Sequence, residues 1–320
     1  MRIGVIGLGS AGRRHTGHLH ALGHEVIWFD PRDVPGFAGA TRARSLEDLL
    51  RRVEAVIVAS PSSLHAEQAI LALEAGRHVL VEKPLATEPE DAARVAGLAE
   101  ERRLVCGVAM NLRFHPAIQA LRELVREGAL GAIGLATASF GYDLRRWRPQ
   151  HDYRETYSAR RELGGGIVLD AIHELDYLLW LLGPVDTITA EVGQVSDLNV
   201  DVEDVALAIL RFKSGALASV DLNFVEPRYR RGCTLVGSER VARWDWHESA
   251  VQVWLSDRLD RTLPAGCEIS ATYLAEVEEF IMSIDEHRPP RTTAREGLAA
   301  VMVAAALKRA AATGSRVTLD

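Results

Sequence analysis

Lys83 closes the run His78-Val79-Leu80-Val81-Glu82-Lys83-Pro84, a short apolar stretch after Gly76 that ends in an acid, a lysine and a proline. Three of the 37 lysine and arginine side chains are lysines: Lys83, Lys213 and Lys308. Arginine supplies positive charge almost everywhere else, and it does not release its proton. A lysine does, and its pKa shifts readily on burial. A second candidate group is Asp170, His173 and Asp176. Spacings of three put them on one face of a helix. There His173 is the natural proton carrier near neutral pH, with a carboxylate one turn away on either side to orient or charge it. A leftover surface lysine and a locally satisfied histidine are the competing readings.

The elements that must position these residues begin at the first strand, Arg2-Ile3-Gly4-Val5-Ile6, which runs into Gly7-Leu8-Gly9-Ser10-Ala11-Gly12 and then a helix through about Leu22. A G-x-G-x-x-G between strand and helix is a dinucleotide loop in its required context: the glycines permit the tight turn, backbone approach to a pyrophosphate and close packing of helix on strand. The next strand, Glu25 to Phe29, ends in Asp30, placed to bond an adenosine ribose 2'-hydroxyl and so to favour NAD. Arg32 offers the opposite possibility, pairing with the 2'-phosphate of NADP. Strand and helix patterns then alternate: a helix near Ser45 to Arg51, a strand at Ala55 to Ala59 ending at Ser60-Pro61, a helix from about Leu64 to Ala75, the strand carrying Lys83, a helix over about Glu88 to Glu101 and a strand from Leu104 to Ala109. Such alternation predicts a doubly wound parallel sheet, with Ser60, Pro61, Glu82 and Lys83 on its ligand-binding edge. His65 lies close to that edge, either near a nicotinamide or engaged in local hydrogen bonding.

Beyond Pro116 and a helix over about Ala117 to Glu127 the pattern changes. Apolar alternation near 132–141, 185–195, 203–212, 216–225, 232–236 and 250–255 predicts a large, mostly antiparallel open sheet, with Lys213-Ser214-Gly215 turning one hairpin. One helix intrudes, from about Gly166 to Leu182, and two helices near Ala271 to Glu286 and Thr293 to Thr313 end the chain. The fold class is α/β: a Rossmann domain over 1–117 and an α+β domain over 118–320 for substrate and oligomerisation, the last helix free to pack back on the first.

With 320 residues, 48% hydrophobic, and a net charge of -7, the chain lacks any general attraction for nucleic acid or acidic membrane surfaces. No stretch reaches the length of a membrane span, and three scattered cysteines suit a reducing cytoplasm. His15, His18, His20 and His24 lack the carboxylate or cysteine neighbours of a metal site, so no metal is expected. The open sheet predicts a homo-oligomer, a dimer or tetramer. Between a strand and the intruding helix, Arg145, Arg146, Arg148, Arg154, Arg160 and Arg161 alternate with Trp147, Tyr153 and Tyr157. Guanidinium forks and aromatic faces fit an anionic sugar, while a solvated or subunit-contacting loop is the plainer alternative.

Taken together, the glycine loop through His15, Glu82-Lys83-Pro84 and Gly164-Gly165-Gly166 through His173 resemble the glucose-fructose oxidoreductase, inositol dehydrogenase and rhizopine-catabolism (Gfo/Idh/MocA) family over nearly the whole chain. The resemblance implies hydride transfer between a nicotinamide and a sugar-like hydroxyl or ketone. It further implies that Lys83 binds the reacting oxygen, that His173 is the general base in the oxidising direction, that Asp170 completes the site, and that the Lys-Pro bond is often cis. Many members carry the histidine four residues after the aspartate with a glycine between; here Asp170 and His173 are three apart, without one. Asn111-Leu112-Arg113-Phe114-His115-Pro116, Trp147-Arg148-Pro149, Asp152-Tyr153-Arg154 and His173-Glu174-Leu175-Asp176 are similar to a subgroup found with surface-sugar biosynthesis, which adds Arg113 to the substrate candidates. The site is expected in the cleft between the domains, on a small sugar-like substrate. A keto-sugar reductase using NADPH and a dinucleotide sensor without catalysis are the alternative functions.

Overall fold

The computed structural model describes residues 1–319. The chain divides into two compact units, one formed by Met1–Asn111 with Ser270–Val301, the other by Leu112–Ile269 with the chain from Met302 on.

In the first unit β1 (Arg2–Ile6), α1 (Ser10–Ala21), β2 (Glu25–Phe29), β3 (Thr41–Arg42), α2 (Leu46–Arg52), β4 (Ala55–Val58), α3 (His65–Glu74), β5 (His78–Glu82), α4 (Pro89–Arg102) and β6 (Cys106–Ala109) alternate along the chain. The six strands lie in the order β3-β2-β1-β4-β5-β6, all parallel. Strands buried on both faces need near-continuous apolar runs, and Ile3, Val5, Val56, Ile57, Val79 and Val81 are all fully buried. Full burial of such a side chain contributes about 1.5–3 kcal/mol. The chain builds outward from β1 in one direction and from β4 in the other, so the order reverses between these two strands. That reversal opens a crevice beyond their carboxyl ends, where the turns carrying Gly7, Ser60 and Lys83 emerge.

The second unit contains α5 (Pro116–Arg126), β7 (Ile133–Gly141), α6 (Ile167–Asp170), α7 (Ile172–Leu182), β8 (Val185–Gly193), β9 (Val205–Phe212), β10 (Leu217–Asn223), β11 (Arg230–Gly237), β12 (Val241–Asp245), β13 (Ala250–Leu255) and β14 (Arg258–Pro264). After α8 (Ile269–Asp285) and α9 (Ala294–Thr313), β15 (Val317–Thr318) adds the last edge of a nine-stranded sheet in the order β14-β13-β12-β11-β7-β10-β9-β8-β15. Every neighbouring pair is antiparallel except β7 and β10. Alternate residues of β9 (Ala206, Ala208, Leu210, Phe212) are buried, whereas Leu207 and Ile209 are about half exposed on the other face. Helix α5 buries Ala117, Ile118, Leu121 and Leu124, and α7 buries most of its length beside β7.

The glycine loop depends on one close approach. A Cβ at Gly12 would stand 1.9 Å from the carbonyl oxygen of Gly7, so α1 seats against its own turn only because position 12 has no side chain. Gly12→Ala is expected to destabilise the first unit by about 1–3 kcal/mol through overpacking and to abolish dinucleotide binding, read by thermal melting and by titration with NADH.

Candidate active site

Gly7 has φ +88, which an L side chain rarely adopts, and its amide donates to the Phe29 carbonyl at 2.8 Å. Gly9 caps α1 without any side-chain bond to the helix amides, and a Cβ there would meet open space. A helix N-terminus with free amides and no overhanging side chain attracts a pyrophosphate, so Gly7, Gly9, Ser10, Ala11 and Gly12 fit the dinucleotide. Asp30 ends β2 as a buried carboxylate that accepts from Leu8 N at 2.9 Å and from Arg32 N and Nε at 3.0 Å each. Burial opposes its charge, but the bonds from Arg32 and Leu8 prevail and hold it below the usual carboxylate range. Arg32 thus lies on the Asp30 carboxylate with its side chain 66% exposed. Both residues considered for cofactor choice follow the carboxyl end of β2 and are bonded to each other.

The turns after β4 and β5 are tied together. His65 is buried, with Nδ1 2.7 Å from the Pro84 carbonyl and Nε2 3.0 Å from the Ser60 carbonyl. Desolvation lowers its pKa in spite of those two carbonyls. Ser60 Oγ donates to Gln68 Oε1 at 2.7 Å, which fixes the start of the Ser60-Pro61 turn. The Lys83–Pro84 peptide is cis, as the family resemblance implies, and Lys83 is half-buried. Beneath it Glu82 is buried; its Oε1 lies 2.8 Å from His15 Nε2 and 3.6 Å from Arg14. Burial alone would raise this carboxyl, but the His15 bond and the charges of His15, Arg14 and Lys83 hold it far below its ordinary range. Glu82 therefore ties α1 to the strand end that presents Lys83.

In the second unit the intruding element is two helices, not the single helix over 166–182 that the sequence predicts. Helix α6 stops at Asp170, Ala171 takes φ -95 and ψ 30, and α7 starts at Ile172. Asp170 therefore ends one helix while His173 and Asp176 belong to the next. Its carboxylate is held elsewhere: Tyr157 Oη and Ser158 Oγ each donate to it at 2.6 Å, one to each oxygen. The triple glycine makes this geometry, since a Cβ at Gly165 would stand 2.2 Å from the Tyr157 carbonyl oxygen. His173 is buried in the first turn of α7, followed by two buried acids with their own arginines. Arg231 grips Glu174 at 2.8 and 3.1 Å, and Arg113 grips Asp176 through Nε at 2.9 Å and a terminal nitrogen at 2.7 Å. The sequence presents Arg113 as a substrate contact; the structure gives it a buried carboxylate partner.

Three of the six arginines of the loop are occupied locally. Arg145 bonds Asp143 and reaches Asp197, Arg154 bonds Asp152, and Arg161 bonds backbone and side-chain oxygens of Asp201. In Asp143-x-Arg145 and Asp152-x-Arg154, as in Asp30-x-Arg32, the aspartate accepts both the backbone amide and the guanidinium two residues on. This Asx-type turn was legible in the sequence as a spacing. Trp147 packs edge-on against Phe140 and Phe224, its Nε1 donating to the Tyr142 carbonyl, while the Tyr153 hydroxyl accepts from Asn199 N. Arg148 differs from Arg145 and Arg154. Its guanidinium lies 5.8 Å from the centre of the Tyr157 ring, and no described carboxylate is within ion-pair distance of it.

One polar group went unnoticed in the sequence. Glu276 on α8 is buried with neither carboxyl oxygen bonded, near Arg14, whose guanidinium lies 3.6 Å over the Tyr273 ring. Burial raises its pKa well above the ordinary range and the charge of Glu82 adds to this, against the pull of Arg14. Glu82 is thus the charged member of the pair and Glu276 the neutral one. A carboxyl raised on folding contributes stability that is complete below its unfolded value and is lost as pH climbs through the folded one. Glu276→Gln does not ionise, so the parent protein should lose stability relative to the variant by about 1.4 kcal/mol per pH unit within that window. Melting curves from about pH 5 to pH 9 measure the divergence.

Comparison with known proteins places the two units in one family. Residues 1–110 match the model of the oxidoreductase family with an NAD-binding Rossmann fold, and residues 118–243 match the GFO/IDH/MocA C-terminal domain. A UDP-N-acetylglucosamine 3-dehydrogenase of Acidithiobacillus ferrooxidans is 31% identical over 308 residues, covering 90% of each chain. A myo-inositol 2-dehydrogenase of Thermotoga maritima is 27% identical over 100% of this chain and 99% of its own. Among solved structures, the WlbA dehydrogenase of Bordetella pertussis in complex with NADH and UDP-GlcNAcA is 26% identical with a TM-score of 0.85, covering 100% of this chain and 99% of that one. With both of its halves matching these models, the chain belongs to the Gfo/Idh/MocA family of oxidoreductases.

Proposed function

We propose that the protein oxidises a hydroxyl of a nucleotide-linked sugar with NAD, or reduces the matching ketone. The observation that carries this reading is Lys83, presented on the carboxyl edge of the dinucleotide sheet by a strand end that Glu82 and His65 hold on both sides. Bound NAD supplies the hydride acceptor. Lys83 binds the reacting oxygen and favours negative charge developing on it; His173 takes the hydroxyl proton as the C–H electron pair leaves, and returns it in the reducing direction. Asp170, held by two hydroxyls, acts as a fixed charge rather than as the base. The substrate class draws support from the UDP-N-acetylglucosamine 3-dehydrogenase relative and from Arg148, which has no carboxylate partner among the described residues. We favour NAD over NADP because Asp30, the acid after β2, is placed to accept from an adenosine ribose 2'-hydroxyl. The three cysteines are free, and no helix among the described residues is long and apolar enough to cross a membrane; we place the reaction in the cytoplasm.

Turnover of UDP-sugars, sugar acids and polyols with NAD and NADP, repeated with Lys83→Ala and His173→Ala, tests the assignment. A loss of about 10²–10⁴-fold in kcat is expected for each variant, and unchanged turnover in both would refute it. Association follows from the open sheet face, where Leu135, Leu207 and Ile209 are 45%, 49% and 50% exposed. An apolar face of this kind is normally buried in a symmetric homo-oligomer. Ile209→Asp is expected to lower the mass measured by light scattering toward one chain, and an unaltered mass would sink the idea.

A further inference from the structure

We propose that Arg148 is the anion-recognising residue of the substrate site and that Tyr157, on whose ring it lies, is a positioning residue that connects this recognition to Asp170. The inference rests on the sugar-oxidoreductase reading and adds to it which side chain senses substrate charge. Three observations lead there. Arg145 and Arg154 are taken by the aspartates two residues before them and the Arg161 guanidinium by the Asp201 carbonyl, which leaves Arg146, Arg148 and Arg160 without a carboxylate partner among the described residues. Arg148 instead contacts an aromatic face, 5.8 Å from the ring centre of Tyr157. A guanidinium on a ring keeps its in-plane N–H donors directed outward, able to fork onto a carboxylate or phosphate. The same Tyr157 donates its hydroxyl to Asp170 Oδ1 at 2.6 Å, a length typical of charge-assisted bonds, with Ser158 on Oδ2. Ring and hydroxyl therefore join two functions: displacement of the ring moves Arg148, and displacement of the hydroxyl removes a bond to Asp170 just before the turn into α7.

The shared ligand chemistry is an oxyanion attached to the sugar. Its two sources, phosphate and carboxylate, are separated by measuring kcat and KM with NAD for UDP-N-acetylglucosamine and glucuronic acid, with levoglucosan as a neutral reference. Arg148→Ala is expected to raise KM for the recognised anion about 10-fold or more beyond its effect on levoglucosan, the value of one charge-assisted fork. Tyr157→Phe keeps the ring and removes the hydroxyl, so kcat should fall about 10-fold with KM changed less than about 2-fold. Ser158→Ala tests the other oxygen and should move kcat in the same direction. Calorimetric binding of UDP-N-acetylglucosamine and glucuronic acid to the NADH-loaded protein decides the recognition claim without turnover. Arg148 is half-buried in a surface loop, so its removal leaves the core intact. Equal binding of both anions by parent and Arg148→Ala protein overturns the recognition, and an unchanged kcat in Tyr157→Phe overturns the positioning. Inactivity of the parent protein on all three probes counts against the function above, while the binding measurement still judges Arg148.

Discussion

A buried negative charge at the end of β5 is the constraint on which the first unit depends. Glu82 tolerates burial only because His15 and Arg14 reach it from α1 and Lys83 follows it in the chain. Breaking such a pair by removing one partner typically costs about 3–5 kcal/mol, far more than any single surface contact. The helix that presents its N-terminus to a dinucleotide is thereby fastened to the strand that presents the lysine. His65 lies between the Pro84 and Ser60 carbonyl oxygens of the two neighbouring turns and, as a neutral imidazole, donates to one of them. Glycine loop, serine turn and lysine turn form a single bonded rim along the carboxyl edge of the sheet, rigid enough to hold reacting groups in fixed positions.

The second unit solves a related problem differently. Its buried acids Glu174 and Asp176 follow His173 closely, and left alone they would load the helix with uncompensated charge. Each is neutralised by an arginine from another element, Arg231 from β11 and Arg113 from the turn before α5. Those pairs anchor α7 on opposite sides and take up two arginines that could otherwise be assigned to substrate.

The period-2 and βα patterns carried the architecture, because strands buried on one or both faces must show it in their side chains. Five strands of the six-stranded sheet and its motif turns agree with the sequence to within a few residues at each end, while the two-residue edge strand β3 was not anticipated. Short strands such as β12 and β14, rich in charge, left no apolar signature and were not anticipated. The break at Ala171 was also hidden: Ile167 to Leu182 reads as one apolar helical run, and the bonds from Tyr157 and Ser158 to Asp170 at the break come from residues that the helical pattern does not include. Glu276 was invisible for a similar cause, since a glutamate three residues after Tyr273 looks like a solvated helix face until the partner surface is known. The arginine loop shows the reverse case. Its charges were plain in the sequence, but the Asp-x-Arg spacing that uses up two of them was the more informative pattern.

That loop is a succession of single helical turns, at Leu144–Arg146, Tyr153–Glu155, Tyr157–Ala159 and Arg161–Leu163, the first two capped by Asp143 and Asp152 from within. Asp143 and Asp152 each bond the amide and guanidinium of an arginine in their own turn, so changes in one turn need not propagate to the next. Selection can lengthen, shorten or recharge the stretch before Tyr157 while the glycine-backed clamp on Asp170 stays as it is. A scaffold arranged this way keeps its chemistry constant and leaves its diet open to change, one turn at a time.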